Sequence, residues 1–259
     1  MAEISEVVSP ESAPASRRGE EPVAKRRGPK MPKWESEARS RLKAALKQHL
    51  KHLSELADQG VNEADTRLFV TDILCEGLGY HKYDDLTTEY RVGGAYADYG
   101  IRLEGDLVAF VEVKRIGTKL ATKHLRQVQS YAVNEGVEWI VLTDGAKWQV
   151  YHLSGGLPIS MDLAMETDIL GDDSLAHKAA EMFFLSREAM KKGRLTDLWQ
   201  AKRATSPTSL AQVVLSEPVV KAIRKELRRR TGYAVSVEEI ASLLKDTCVR
   251  ESCFGKPQQ

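Results

Sequence analysis

Apolar residues first recur with the period of a helix. From Trp34 onward, leucines spaced by three and four residues fall on one helix face: Leu42, Leu46, Leu50, Leu53 and Leu56. Gly60 is a candidate end cap for this helix. A second helix is predicted over residues 62–79, with Asn62 as its N-cap. We expect its buried face to consist of Leu68, Phe69, Ile73 and Leu74.

The period then changes to that of strands. The pattern predicts strands over 86–92, 95–104 and 107–115, with turns at Gly93-Gly94 and Glu104-Gly105-Asp106. A helix over about 120–134 follows. Further strands are predicted over 138–143 and 147–152 around the turn signal Asp144-Gly145, with a short one near 159–163. This order predicts an α/β fold of the mixed α+β kind, in which helices flank a mixed sheet.

The last third of the chain is predicted to be helical. One helix covers about 174–192, Ser206-Pro207 marks a break, and a long amphipathic helix covers 210–230. Ser236 and Glu239 form a capping box that opens a final helix to about residue 250. The basic residues near the end of the 210–230 helix fit a solvated face or a phosphate-binding surface. The apolar stripe of the same helix could instead form a homodimer contact.

The first 33 residues differ in composition from the rest. They are rich in Ser, Pro, Glu, Ala and Arg and have too few large apolar side chains to offset the entropy of ordering. Residues 17–33 are basic, which fits either a solvated linker or an arm that binds nucleic-acid phosphates. We therefore expect a disordered basic tail (1–33), a main domain (34–195) and a helical C-terminal region (196–259).

Composition narrows the class of protein. Apolar residues make up 42% of the 259, enough for a sizeable core, and 38 basic residues nearly balance 37 acidic ones. This balance excludes a polycation that coats nucleic acid. No apolar run approaches the roughly 18 residues of a membrane helix, and the N-terminus lacks the apolar segment of a secretory signal. The three scattered cysteines form no disulfide framework. We expect a soluble, reduced, cytoplasmic protein.

Candidate chemistry is concentrated in residues 95–117. Glu112 and Lys114 are two apart on a very apolar strand, so their side chains share a face. Asp98 lies on the preceding strand. If it faces Glu112 in an antiparallel pair, Leu103 pairs with Leu107 and the loop has three residues. A two-residue loop of Gly105 and Asp106 would move Asp98 to the other face unless a bulge intervened.

Two carboxylates and a lysine around one point suit Mg²⁺-dependent phosphodiester hydrolysis. Mg²⁺ prefers oxygen ligands, which Asp98, Glu112 and the carbonyl of Val113 could supply. The metal would polarise a phosphate and acidify a bound water, while Lys114 would orient that water or stabilise charge at phosphorus. The simpler alternative is a salt bridge at a strand end, because an isolated E-x-K triplet is very common.

Gln127 and Tyr131, four apart on the next predicted helix, share one face of it. The series Asp98, Glu112-Val113-Lys114 and Gln127-x-x-x-Tyr131 resembles the signature of the PD-(D/E)xK nuclease superfamily with its Q-x-x-x-Y extension. The order of the segments TRLFVTDILCEGLGY, TEYRV, ADYGI, FVEVK, QVQSYA and VLTDGAKWQVY is similar to the N-terminal nuclease domain of type I restriction enzyme R subunits and its stand-alone relatives. The resemblance covers about residues 60–155.

This resemblance implies a restriction-endonuclease-like core and Mg²⁺-dependent hydrolysis of DNA by an endodeoxyribonuclease. It makes Asp98 and Glu112 metal ligands, Lys114 the catalytic lysine, and Gln127 and Tyr131 active-site or DNA-contacting residues. Family members often add an acidic residue from the helix before the sheet. Glu63 or Asp65 fits this position, and Glu63 is our choice, although a charge favoured by the helix dipole is an equal alternative.

The sequence also departs from the restriction subunit. It has no G-x-x-x-x-G-K-[ST] loop, so it carries no ATPase motor of that kind. Its expected partners are DNA and either other restriction-system subunits or a second copy of the chain. Two other functions stay open: a non-catalytic nucleic-acid-binding module that retains the nuclease fold, and a regulatory or assembly subunit whose helical region binds a protein.

Overall fold

The computed structural model describes residues 31–92, 95–154, 159–250 and 253. The predicted disordered tail, up to residue 30, and the predicted turn at Gly93-Gly94 lie outside the described residues. The side chain of Gln127 also lies outside them.

A six-stranded mixed sheet forms the centre of the fold, and the strands are ordered as they occur along the chain. Strands β3 and β4 are parallel, whereas every other neighbouring pair is antiparallel. A helix joins β3 to β4, as a parallel connection requires. The strands are β1 (Leu86–Val92), β2 (Ala95–Leu103), β3 (Asp106–Val113), β4 (Trp139–Thr143), β5 (Lys147–Ser154) and β6 (Ser160–Asp168). The predicted mixed α/β class is confirmed, and β6 extends beyond the short strand expected near 159–163.

Helices flank this sheet and continue beyond it. Asn62 caps α2 as predicted, because its side-chain oxygen accepts from the backbone N–H of Asp65 at 2.9 Å. The helices are α1 (Lys33–Gln59), α2 (Glu63–Asp72), α3 (Arg126–Glu135), α4 (Leu175–Met182), α5 (Arg187–Lys191), α6 (Arg194–Ala204), α7 (Pro207–Val214), α8 (Glu217–Thr231) and α9 (Val237–Leu243). Short turns extend some of them: π-helical turns follow α2 and α9, and 3₁₀ turns precede α3 and follow α4.

Two predicted continuous helices are wrong, because each is interrupted at a serine with extended backbone angles. The segment 174–192 breaks at Ser186, which has extended backbone angles and caps α5 by accepting from the N–H of Ala189. The segment 210–230 breaks at Ser216, which is also extended, and Pro218 follows in the first turn of α8. A serine offers the backbone a local hydrogen bond, and proline fits a first turn but not a helix interior.

Two apolar clusters pack between the helices and the sheet, one on each face, and a small third cluster joins Ala38, Phe183 and Ala189. The larger cluster joins α1, α2, α4 and α6 to one face, and the smaller joins α3 to the other. Phe110 on β3 is completely buried on the α3 side, whereas its neighbour Val111 is completely buried on the α1 and α2 side. Each such side chain contributes roughly 1.5–3 kcal/mol of burial free energy.

The predicted buried face of α2 is wrong at Leu68. Phe69, Ile73 and Leu74 are buried as expected, but 68% of Leu68 is exposed. Val70 is buried in its place, so the buried stripe is rotated away from Leu68.

Packing continues across the predicted domain boundary at 195/196. This boundary falls inside α6, and Leu195 and Trp199 of that helix both belong to the larger cluster. Residues 207–248, in α7 to α9 and the turn after them, lie beyond this packed region. Over the described ranges, no helix combines the length and the apolar character that crossing a membrane requires.

Candidate functional site

The candidate site lies where β2 and β3 run together, at the end away from their hairpin turn. Tyr99 pairs with Val111, in the register that the sequence predicted, and Asp98 and Glu112 are the next residues of the two strands. The backbone N–H of Val113 donates to the Asp98 carboxylate, so Asp98 and Glu112 lie close together where the ladder ends.

The hairpin achieves this register in a different way from the predicted three-residue loop. Leu103 pairs with Asp106, so the turn has only two residues, Glu104 and Gly105, both with positive φ. Such a turn matches the twist of the strands. A bulge then shifts the register between Ile101 and Arg102 and restores the pairing that aligns the site. The three-residue loop was wrong, and a bulge of the kind considered for a two-residue loop corrects the alignment.

Glu112 and Lys114 contact each other directly. The Lys114 ammonium donates to a Glu112 carboxylate oxygen, with 2.6 Å between Nζ and Oε1. Their side chains are only 14% and 21% exposed. The shared face predicted from their spacing is therefore present, and so is the salt bridge that we considered as the simpler alternative.

Helix α2 brings a third carboxylate to the cluster. Glu63 is its first residue, and its Oε2 lies 4.0 Å from Lys114 Nζ. Asp65, the alternative considered for this position, is exposed, and its described contact is its backbone hydrogen bond to the cap Asn62. The structure thus brings Glu63 to the site while leaving it close to the helix N-terminus that favours its charge.

Asp98 is held from two sides. One carboxylate oxygen accepts the backbone N–H of Val113 at 2.7 Å, and the other accepts from Arg67 Nη1 at 3.1 Å. The N–H and C=O of a strand residue point to the same neighbouring strand, so the Val113 carbonyl also faces the side of β2. The sequence reasoning missed Arg67. A signal existed, because Arg67 lies four residues after Glu63 and therefore on the same face of α2.

Burial shifts the ionisation of both strand carboxylates. It raises the pKa of Asp98, and the Val113 N–H and the Arg67 charge only partly offset this. Burial likewise raises the pKa of Glu112, although its hydrogen bond with Lys114 opposes the shift. Burial alone would lower the pKa of Lys114, but the hydrogen bond and charge of Glu112 outweigh it and the pKa is raised. The site therefore holds its carboxylates at an energetic cost and retains the lysine proton firmly.

The donor chemistry fits a hard divalent cation. Three carboxylates, Glu63, Asp98 and Glu112, face two cationic side chains, Arg67 and Lys114. Mg²⁺ is commonly held by one or two carboxylates with waters filling the remaining positions. Across the described part of the chain, no three His, Cys, Asp or Glu side chains are already arranged around one metal position. The carboxylates are thus of the chemical type that such an ion prefers, without forming a complete protein cage.

Residues before and on α3 complete the surroundings. Tyr131 is 7% exposed and packs in the smaller apolar cluster, and within the described residues no hydrogen bond or ion pair joins it to Lys114. His124 lies in the 3₁₀ turn before α3, and burial and the charges of Lys123 and Lys114 lower its pKa.

Comparison with protein-family models, with curated proteins and with solved structures finds no match to this chain. Function is therefore inferred from the residues of the site itself.

Proposed function

We propose that the chain is a Mg²⁺-dependent DNA endonuclease of the PD-(D/E)xK type, similar in its nuclease core to type I restriction R subunits. One set of contacts carries the proposal: Asp98 accepts the backbone N–H of Val113 at 2.7 Å, directly beside Glu112, and Lys114 contacts Glu112 at 2.6 Å. A role in restriction, defence or repair fits such an enzyme.

The chain's own residues divide the work between binding and charge stabilisation. Asp98, Glu112 and the Val113 carbonyl would hold Mg²⁺, with Glu63 as a further oxygen donor. The ion supplies Lewis-acid polarisation of a phosphate and a water of lowered pKa. Lys114, which keeps its proton, stabilises the charge that develops on the phosphoryl oxygens. Gln127 and Tyr131 retain their proposed role next to the site or the DNA.

A second candidate function has an observation in its favour. Both strand carboxylates already have cationic partners, since Glu112 pairs with Lys114 and Asp98 pairs with Arg67. A nucleic-acid-binding or regulatory module that retains the nuclease fold could keep these pairs as structural salt bridges. Unlike the nuclease, this module would bind Mg²⁺ weakly or not at all.

We propose the cytoplasm as the compartment and DNA as the partner. Cys75, Cys248 and Cys253 are free thiols, as a reducing compartment favours. Further restriction-system subunits or a second copy of the chain stay expected partners.

Nicking of supercoiled plasmid in Mg²⁺ tests the proposal. We expect the wild type to nick, and Lys114→Ala, purified identically, to lose at least about a hundredfold in rate because an electrostatic stabiliser is gone. Lys43→Ala is the matched control, since Lys43 is an exposed lysine of α1. EDTA should stop the reaction.

Calorimetric titration with Mg²⁺ separates the two candidate functions without relying on activity. A nuclease should bind Mg²⁺, and Glu112→Gln should weaken that binding by about tenfold or more. Equal nicking by wild type and Lys114→Ala would point to a contaminant and reject the assignment. Absence of both nicking and Mg²⁺ binding would favour the non-catalytic module.

A further inference from the structure

A cavity of about 270 Å³ opens beside the candidate site, between α2 and strands β1 and β2. Its volume lies just below the range of about 300–1,000 Å³ that is typical of small-ligand pockets. It is lined by Arg67, Leu68, Thr71, Asp72, Lys82, Leu86, Thr88 and Tyr99.

Arg67 links this cavity to the carboxylate cluster. Its guanidinium lines the cavity and also donates to Asp98 through Nη1 at 3.1 Å. In the described residues this is its only side-chain hydrogen bond, so other N–H groups of the guanidinium stay available to a ligand. A group bound in the cavity would therefore lie next to the residues proposed to hold the metal.

The wall of the cavity is fixed by hydrogen bonds behind it. The Tyr99 hydroxyl donates to the carbonyl of Arg67 at 2.9 Å and lies 2.9 Å from Thr71 Oγ1. These contacts tie β2 to α2 and leave the Tyr99 ring in the lining. The cavity is thus built into the packing of two elements.

Its chemistry combines an apolar surface with positive charge. Leu68 is 68% exposed and supplies the accessible apolar surface of the lining, in which Leu86 and Tyr99 are largely buried. Arg67 and Lys82 supply two cations against the single carboxylate of Asp72. Sites for single-stranded nucleic acid combine these features, because bases contact flat apolar surfaces while cations contact the phosphates.

We propose that this cavity binds the base of an unpaired nucleotide next to the phosphate at the candidate site, with Arg67 contacting the intervening backbone. The inference deepens the proposed nuclease function and depends on it for the substrate class. A base stacked inside a duplex cannot enter a pocket of this size, so the strand must be single-stranded, frayed or flipped there. The chain therefore prefers DNA with unpaired bases.

Binding in EDTA, where no cleavage occurs, tests this proposal with the full chain. Fluorescence anisotropy compares a labelled single-stranded oligonucleotide, the same strand with all bases removed, and the matching duplex. Leu68→Ser should weaken binding of the intact single strand about tenfold, because one base loses its apolar contact. It should leave binding of the abasic strand unchanged. Leu68→Phe should bind the intact single strand at least as tightly as the wild type does, since it supplies a larger stacking surface.

Leu210→Ser is the matched control, because Leu210 is a helical leucine with 52% exposure outside the cavity lining. The proposal is overturned if Leu68→Ser binds the single strand as tightly as this control, or if it loses as much affinity for the abasic strand. Lack of affinity for every oligonucleotide also overturns it and would direct attention to a peptide ligand. If the wild type nicks plasmid and Leu68→Ser binds the single strand normally, the proposal for the cavity is rejected and the nuclease proposal stands. If binding depends on Leu68 but the wild type does not nick plasmid, the nuclease proposal is rejected and the proposal for the cavity stands.

Discussion

Asp85 and Asp98 are two largely covered aspartates with similar partners and opposite shifts in pKa. Asp85, just before β1, accepts from Arg187 Nε at 2.7 Å and from the backbone N–H of His81 at 2.7 Å. Asp98 accepts from an arginine and a backbone N–H in the same way. Yet the pKa of Asp85 is lowered and that of Asp98 is raised.

The balance between burial and charge explains the contrast. Burial raises the pKa of Asp85, but the Arg187 hydrogen bond and the His81 N–H outweigh it. For Asp98 burial dominates, and Glu63 adds a like charge. The partners of Asp85 therefore compensate for its burial, whereas burial outweighs the partners of Asp98. A shift of this kind marks a candidate functional position.

The largest expected difference between the two aspartates is in catalysis. Asp98→Asn should reduce plasmid nicking on the order of a thousandfold, because it removes a carboxylate from the proposed Mg²⁺ site. Asp85→Asn should leave the rate per folded molecule unchanged. Initial rates, normalised to the folded fraction by circular dichroism, would measure this. Equal losses in both variants would remove the distinction.

The order of effects should reverse for stability. Asp85→Asn leaves Arg187 without its charged partner and should lower the free energy of unfolding by about 3 kcal/mol. Asp98→Asn should change it by less than about 1 kcal/mol, since it also relieves repulsion with Glu63. Urea unfolding followed by tryptophan fluorescence gives both values. A larger loss for Asp98→Asn would show that its pair with Arg67 is structural.

The pH dependence of stability should have opposite signs at the two positions. The folded pKa of Asp98 is above its ordinary value of 3.8, so its contribution should decline as pH rises from 3.8 through the folded pKa. The folded pKa of Asp85 is below 3.8, so its contribution is present above 3.8 and is lost as pH falls through the folded pKa. Urea titrations of the wild type and of each Asn variant from pH 3 to about pH 7 give the contribution of each aspartate to the free energy of unfolding. Parallel pH profiles would contradict the comparison.

The smallest expected effect is the difference in stability between lysine substitutions at Arg187 and at Arg67. Arg187 contacts Asp85 through both Nε and Nη2, a geometry that lysine cannot reproduce. Arg187→Lys should therefore cost about 1 kcal/mol of unfolding free energy, while Arg67→Lys, which replaces a single contact, should cost less than about 0.5 kcal/mol. Thermal unfolding at matched pH would resolve the two, and similar shifts would argue that Arg67 is equally structural.

The sequence predicted the site better where one element determined the geometry. The common face of Glu112 and Lys114 follows from the two-residue period of a strand, and the cap at Asn62 follows from local chemistry. The register that brings Asp98 near Glu112 was predicted correctly, but the loop expected to produce it was not. A Glu-Gly turn has only one glycine for its two positive φ angles, so its sequence signal is weak.

Features that depend on packing between elements were missed. The spacing of four residues from Glu63 places Arg67 on the same face of α2, but its contact with Asp98 depends on how two elements pack. The exposure of Leu68 also follows from how α2 is rotated on the sheet. The apolar pattern of this short helix did not decide whether Leu68 or Val70 would be buried. The serines that break the later helices are local signals in the sequence. The apolar pattern that continues across them nevertheless favoured longer helices.

The bulge in the β2–β3 hairpin corrects the register of the two strands after the short turn. Ile101 pairs with Ala109 and Arg102 with Leu107, so Val108 is the extra residue that offsets the two-residue turn. Evolution can therefore change the length of this hairpin tip only together with a compensating residue in the strand. A single deletion near Val108 would turn Glu112 and Lys114 to the opposite face, even though it lies several residues from either of them.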